Sequence, residues 1–367
     1  MLSLLFKPKQ RKAVFALMKE AKRRGVSADE LMDVLTPEEL SEFIPLEKKE
    51  RPVDVTKWGL PADDEVTTDR FFSDLALAEA DTAARSGDWA PAAELLAEIG
   101  TDWDRRGVAA SLLGETAAND DTWLKAWQAA RPGDPDAAVV HAEGLVRLAW
   151  QIRGGYRADQ TSREQFAGFF RVLEEAEEAT KAATELAPED PTPWCTMLTL
   201  ARGRQYEHER FRPLWNELIT RAPLHHGGHT QALQYWCEKW GGSHELMFAF
   251  AEEAAAKAPA LAVMPLAAAH EAAIVDAPAW KTKQVNAALD RLLPWLDGEG
   301  ARHPSAREDR AYAALALVEA GRHNEAVEQF RKLGTHADGG VWAYYAVPKR
   351  KFLTTRYQAC RHASRPR

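Results

Sequence analysis

Cysteine is scarce in this chain: Cys195, Cys237 and Cys360 are the only three in 367 residues, widely spaced and with no C-x-x-C pair. A disulfide framework or a structural zinc site needs dense, paired thiols, so both are disfavoured, and reduced thiols in a cytoplasmic protein are expected. Long apolar runs are missing as well. Leu2 to Phe6 is shorter than a signal-peptide core and precedes its basic cluster, and no window approaches the ~18 apolar residues of a membrane span. Neither secretion nor membrane insertion is expected. Catalytic signatures are also lacking: there is no G-x-S-x-G, no G-x-x-x-x-G-K-[ST], no H-E-x-x-H and no G-x-G-x-x-G after a strand. The expectation is a non-enzyme with no cofactor and no catalytic residue.

What is present is an ordinary folded composition, 46% hydrophobic and 28% charged, which argues against disorder. The net charge of −8 is unevenly spread. Residues 1–24 hold eight Lys or Arg against Glu20, and residues 339–367 hold seven and no acid, which leaves the body strongly acidic. Nucleic acid or acidic membrane could therefore be met only through the basic termini.

The organising pattern is an Ala-Pro pair closing an alanine-rich helix, at Ala187-Pro188, Ala222-Pro223 and Ala258-Pro259. Proline lacks an amide donor and disfavours helix at the residue before it, so each pair stops a helix. The interval of about 35 residues holds two helices of three to four turns, close to the ~34-residue tetratricopeptide period. A single helix pair cannot bury its apolar stripes alone, so neighbouring pairs stack. In "AYAALALVEAGRHNEAVEQFRKL", Gly321 is followed by Ala326 and Phe330; in "ALAEADTAARSGDWAPAAELLAEI", Ala80 and Ala83 lead to Gly87, Ala92 and Leu96. "PTPWCTMLTLARG" opens another unit at Trp194, with Arg210 where a small residue is usual.

On these residues the chain resembles the tetratricopeptide-like helical-repeat superfamily from about residue 68 to 335. The resemblance implies an all-α fold: a solenoid of degenerate tetratricopeptide-like antiparallel helix pairs over 68–338. Around it are expected a small basic N-terminal helical segment at 1–44, a linker at 45–67 rich in proline, and a basic tail at 339–367. The N-terminal segment reads as helices over 10–24 and 27–44, with capping-box patterns at Ser27/Glu30 and Thr36/Glu39. The first of them is amphipathic through Val14, Phe15, Leu17 and Met18.

A narrower resemblance groups Trp150, Arg153 and Gly154 ("WQIRG"), Arg202 and Gly203, and Trp240, Gly241, Gly242 and Ser243 ("WGGS"). The chain is similar here to a group of bacterial proteins of unassigned function that share a Trp-Gly-Gly-Ser turn and an upstream Trp-x-x-Arg-Gly. Most tryptophans at helical spacing are expected in the core, among them Trp123, Trp127, Trp194, Trp215 and Trp280. Trp150, Trp236 and Trp240 differ because Arg153, Arg202 and Arg204 lie near them. Arginine offers a bidentate fork and stacks on aromatic faces. These six residues are the expected ligand-binding groove, for a protein or peptide partner that is acidic or carboxylate-ended. The bland alternative pairs the arginines with acids such as Glu207 and Glu209 and places the tryptophans in the core.

His225, His226 and His229 have a spacing that would share a metal on a helix. Gly227 and Gly228 between them each cost a helix interior ~1 kcal/mol, so an inter-helix connection without metal is expected. Three functions stay open: a cytoplasmic binding scaffold or adaptor, a membrane-surface or nucleic-acid-associated regulator acting through the basic termini, and a metal-dependent enzyme using this histidine cluster.

Overall fold

The computed structural model describes residues 19–25, 31, 52–154, 161–275, 278–345 and 347–364. Among them every regular element is helical, and one isolated bridge joins Thr67 to His336. None of these helices is long and apolar enough to cross a membrane. The chain divides into two compact units, residues 72–309 and residues 1–71 with 310–367.

The unit of residues 72–309 is built from α1 (Leu75–Arg85), α2 (Ala90–Ile99), α3 (Trp103–Asn119), α4 (Thr122–Ala130), α5 (Pro135–Arg153) and α6 (Arg163–Leu186), followed by α7 (Thr192–Gly203), α8 (His208–Arg221), α9 (His226–Tyr235), α10 (His244–Lys257), α11 (Met264–Ile274) and α12 (Lys283–Asp297). Ala187, Ala222 and Ala258 cap the C-termini of α6, α8 and α10, where the prolines that follow forbid another turn. Each odd-numbered helix from α1 to α9 packs on the helix after it and on the next odd-numbered helix. In addition, α3 meets both α7 and α9.

Helix pairs are closed by a shared turn. Gly87 has φ +93°, and the Asp88 amide donates to the Ala83 carbonyl at 3.0 Å. The Tyr206 amide does the same to Ala201 at 2.9 Å, but there the left-handed position is Gln205, at φ +53°. A side chain in this conformation costs about 1–2 kcal/mol relative to the right-handed region, which glycine avoids. Gln205→Gly is expected to raise stability by about 1 kcal/mol, seen as a higher urea midpoint. A lower midpoint would show that contacts of the Gln205 side chain outweigh the backbone strain.

The core of this unit is alanine- and leucine-rich, with Trp123 and Trp127 fully buried and Trp280 nearly so. Trp127 stacks on Trp89 at 5.9 Å and on Trp123 at 6.4 Å, and its indole N–H donates to Asp134 at 3.0 Å. Trp194 and Trp215, expected in the core, are only half-buried; Arg221 covers Trp194 at 4.9 Å. The buried Arg106 joins remote segments, with Nε 2.6 Å from Asp190 and Nη2 2.5 Å from Asp136. Burial opposes its charge, but the two carboxylates outweigh that and raise its pKa.

In the other unit, the expected linker is corrected where it is described. Val55–Trp58 and Asp63–Glu65 form 3-10 turns, and Val55, Trp58, Leu60 and Val66 are buried. Proline density gave these residues no helical period, yet tertiary contacts pack them. Arg331 donates to the Trp58 carbonyl at 2.6 Å, and the buried Arg356 reaches Asp63 at 2.5 Å. Helix α13 (Ala306–Ala320) carries the boundary between the units and is followed by α14 (His323–Leu333) and α15 (Pro348–His362).

The expected basic tail therefore contains a helix, which buries Phe352, Tyr357 and Cys360. Phe352 meets Phe330 and Trp342 edge-on at 5.2 and 5.5 Å. At the N-terminus, residues 19–24 are helical, with Glu20 bonded to Arg23 and Arg24. Apart from Leu31, the rest of the 10–24 and 27–44 expectations, with their capping boxes, lies outside the described residues.

Candidate functional site

Three sequence-distant segments of the 72–309 unit meet at one place. Helix α5 ends at Arg153 because Gly154 follows at φ +73°, and the Gln165 side chain caps the Ile152 and Arg153 carbonyls at 3.3 and 3.5 Å. Gln165 is itself held by a reciprocal capping box with Ser162 at the start of α6. Trp150 and Arg153 are thereby fixed one turn apart on the last stretch of α5. Arg202 lies in the last turn of α7, and its Nη1 donates to Gln231 of α9 at 3.0 Å.

The adjacent Gly203 has no room for a side chain. A Cβ there would come within 2.9 Å of Leu173, 3.1 Å of Phe169 and 3.4 Å of Trp150. The glycine thus lets the Trp150 and Phe169 rings lie against α7.

Trp240 arrives on a 3-10 turn, Glu238–Trp240, that follows α9. Gly241 closes the turn at φ +93°, and a Cβ on Gly242 would sit 2.0 Å from the Trp236 carbonyl oxygen. That carbonyl accepts from the Ser243 amide at 3.1 Å, and Ser243 then caps α10 through the Leu246 amide. Gly241, Gly242 and Ser243 of the Trp-Gly-Gly-Ser turn therefore each have a local structural reason to be there.

The result is a paired arrangement. Trp150 and Trp240 meet edge-to-face at 5.4 Å. The Arg153 guanidinium lies 5.6 Å from the Trp150 ring and 5.5 Å from the Trp240 ring; Arg202 lies 5.1 and 5.6 Å from the same two rings. Each cation–π contact contributes about 0.5–2 kcal/mol, more as water is excluded. Burial pushes the Arg153 pKa down from the usual arginine value. Two guanidinium groups over one pair of indoles form a local positive centre in the acidic body of the chain.

Arg204 and Trp236, expected in the same groove, are directed elsewhere. Arg204 pairs with Glu177 at 2.9 Å, and Arg210 joins the same carboxylate at 3.0 Å. Trp236 is buried against Phe211, Tyr235 and His208 at 5.6, 5.0 and 4.9 Å.

The histidine segment is corrected from a connection to a helix start. His225 caps α9, its Nδ1 accepting from the Gly228 amide at 2.8 Å, and His226 and His229 lie inside the helix. Gly228 is needed because a Cβ would lie 2.7 Å from Leu218 of α8. Close packing thus offsets the helix cost of glycine.

The three imidazoles do different things. His226 Nε2 is 3.0 Å from both Asp309 oxygens, and its backbone amide donates to Asp104 at 2.8 Å. Asp104 also meets His303 Nε2 at 3.2 Å, and the opposite ring nitrogen of His303 accepts from the Ser305 amide. Burial alone would depress His226, but the Asp309 carboxylate outweighs it and the pKa is pushed up to about 9. Burial pushes His229 down to about 4; its Nδ1 donates to the His225 carbonyl and its ring meets Trp215 edge-on.

Among the described residues no three His, Cys, Asp or Glu side chains are gathered as metal ligands. Burial also raises the Cys195 and Cys237 thiols, the latter to about 12, which suppresses thiolate chemistry at neutral pH.

Sequence reasoning missed Gln231 and the aromatic neighbours Phe166, Phe169 and Phe170, although their i, i+3, i+4 spacing at the start of α6 was available. Asp104, His303 and Asp309 carried no signal, being too far apart in sequence. Comparison with protein-family models, with curated proteins and with solved structures returned no match for this chain.

Proposed function

We propose that the 72–309 unit is a tetratricopeptide-like solenoid that serves as a non-enzymatic, cytoplasmic binding scaffold, and that it takes an acidic or carboxylate-ended peptide at Trp150, Arg153, Arg202 and Trp240. The alternating helix packing and the Ala-Pro stops support the repeat architecture. The observation that carries the binding function is the convergence of two guanidinium groups on the same two indoles, from motifs about 50 and 90 residues apart. Guanidinium groups able to donate to a carboxylate, beside apolar ring faces, match such a ligand in charge.

The test uses a labelled glycine-serine decapeptide ending in two aspartates, with an asparagine, amide-ended control. Arg153→Glu and Arg202→Glu are each expected to weaken binding of the acidic peptide at least tenfold and to leave the weak control unchanged. Undiminished binding by both variants would reject the site.

A further inference from the structure

The cationic pair has an apolar extension. Phe169 is buried and meets Trp150 edge-on at 5.1 Å. Phe170 lies 5.3 Å from Phe169 and stacks at 6.1 Å on Phe166, yet Phe170 is 49% exposed. A continuous series of rings therefore runs from an exposed phenylalanine to the two tryptophans that carry Arg153 and Arg202. A large exposed aromatic contributes little to folding; contiguous with a charged recognition centre, it has the composition of an interface, with aromatic residues and arginine together.

Resting on the acid-binding function proposed above, we infer that Phe170, backed by Phe166, is a specificity shelf for a bulky apolar side chain of the same partner peptide, within about three residues of its acidic group. The occupant is set by charge complementarity and by reach. The partner must present an anion to Arg153 and Arg202, and Phe170 lies within two ring-to-ring steps, of 5.3 and 5.1 Å, of the Trp150 ring that both arginines cover, which bounds the separation from above. An extended chain rising ~3.3 Å per residue spans it in at most about three residues.

The probe is a set of labelled, amide-ended glycine-serine decapeptides with one aspartate and one phenylalanine. The separation of the two is walked from one to six positions on either side of the aspartate. Affinity is expected to peak at a separation of three or fewer and to fall away at larger ones, with the peak about tenfold above a peptide without phenylalanine. Phe170→Ser should abolish the peak while leaving binding of the phenylalanine-free acidic peptide unchanged, with only a modest fall in melting temperature from the lost contacts with Phe166 and Phe169. Binding that depends on aspartate but not on phenylalanine, or a peak that survives in Phe170→Ser, would overturn the shelf and leave the acid site standing. Equal binding of peptides in which asparagine replaces aspartate would overturn both.

Discussion

Asp309→Asn is expected to destabilise the 72–309 unit by about 3–5 kcal/mol, because it removes the counter-charge of a buried His226. In a unit of this size that corresponds to a fall in melting temperature on the order of 10 °C. His226 and Asp309 are both almost fully buried, and the same histidine holds Asp104 through its backbone amide. Within the 72–309 unit the pair thus ties the start of α9 to Asp309 at the unit's end, and through Asp104 to the start of α3. Removing the Asp309 charge leaves His226 desolvated, with only the weaker influence of Asp104 and Glu308 to favour its charged form.

The pH dependence has a definite sign. The folded His226 pKa, about 9, stands above its ordinary value of 6.5. Its stabilising contribution is therefore complete below about pH 6.5 and is lost as pH rises through 9. Asp104 behaves oppositely: burial is outweighed by its bonds to His303 and the His226 amide, and its pKa is lowered. Its contribution is present above the ordinary carboxylate value and lost on acidification. Asp309→Asn should sharply reduce the alkaline limb of the stability profile measured by urea unfolding; an unchanged limb would assign it to another group.

Gly242→Ala is expected to have the largest effect on the site itself. The new methyl would lie 2.0 Å from the Trp236 carbonyl oxygen and 2.4 Å from its carbon, backbone atoms that cannot rotate away. The turn must open, at a cost of at least about 3 kcal/mol, and Trp240 must leave Trp150, Arg153 and Arg202. Acidic-peptide binding should fall at least tenfold, with a change in tryptophan emission. Gly87→Ala, where the added methyl meets nothing within 4 Å, provides the control for a strained glycine position away from the site. It should lower stability by about 1–2 kcal/mol through its φ of +93° alone and spare binding. Normal binding by Gly242→Ala would mean that Trp240 is dispensable.

Much of the helical organisation was legible because its signals are local. Proline after alanine ends α6, α8 and α10 whatever surrounds them, and Gly87 marks a left-handed turn. The grouping of Trp150, Arg153, Arg202 and Trp240 was legible through short motifs whose glycines turn out to have steric reasons. Trp236 and Trp240 differ by one helical turn and look co-facial in sequence. But α9 ends at Tyr235, and the 3-10 turn then sends Trp240 to Trp150 while Trp236 stays against α8.

Arg204 is likewise only two residues beyond Arg202, but it lies past the end of α7 and turns to Glu177. The His226–Asp309 pair spans 83 residues and leaves no local trace. Residues 348–362 were weighed by charge, although Phe352, Thr355, Arg356, Ala359 and Cys360 form the helical stripe that is buried.

The most direct measurement of the proposed acid-binding site is the indole N–H spectrum of 15N-labelled protein titrated with the aspartate-ended decapeptide. The N–H signals of Trp150 and Trp240, assigned by single Trp→Phe substitutions, are predicted to shift in a saturable way. Those of the buried Trp123 and Trp127 should stay fixed, and the asparagine, amide-ended peptide should produce no such change. Shifts absent from Trp150 and Trp240, or equal for both peptides, would contradict the assignment of this site.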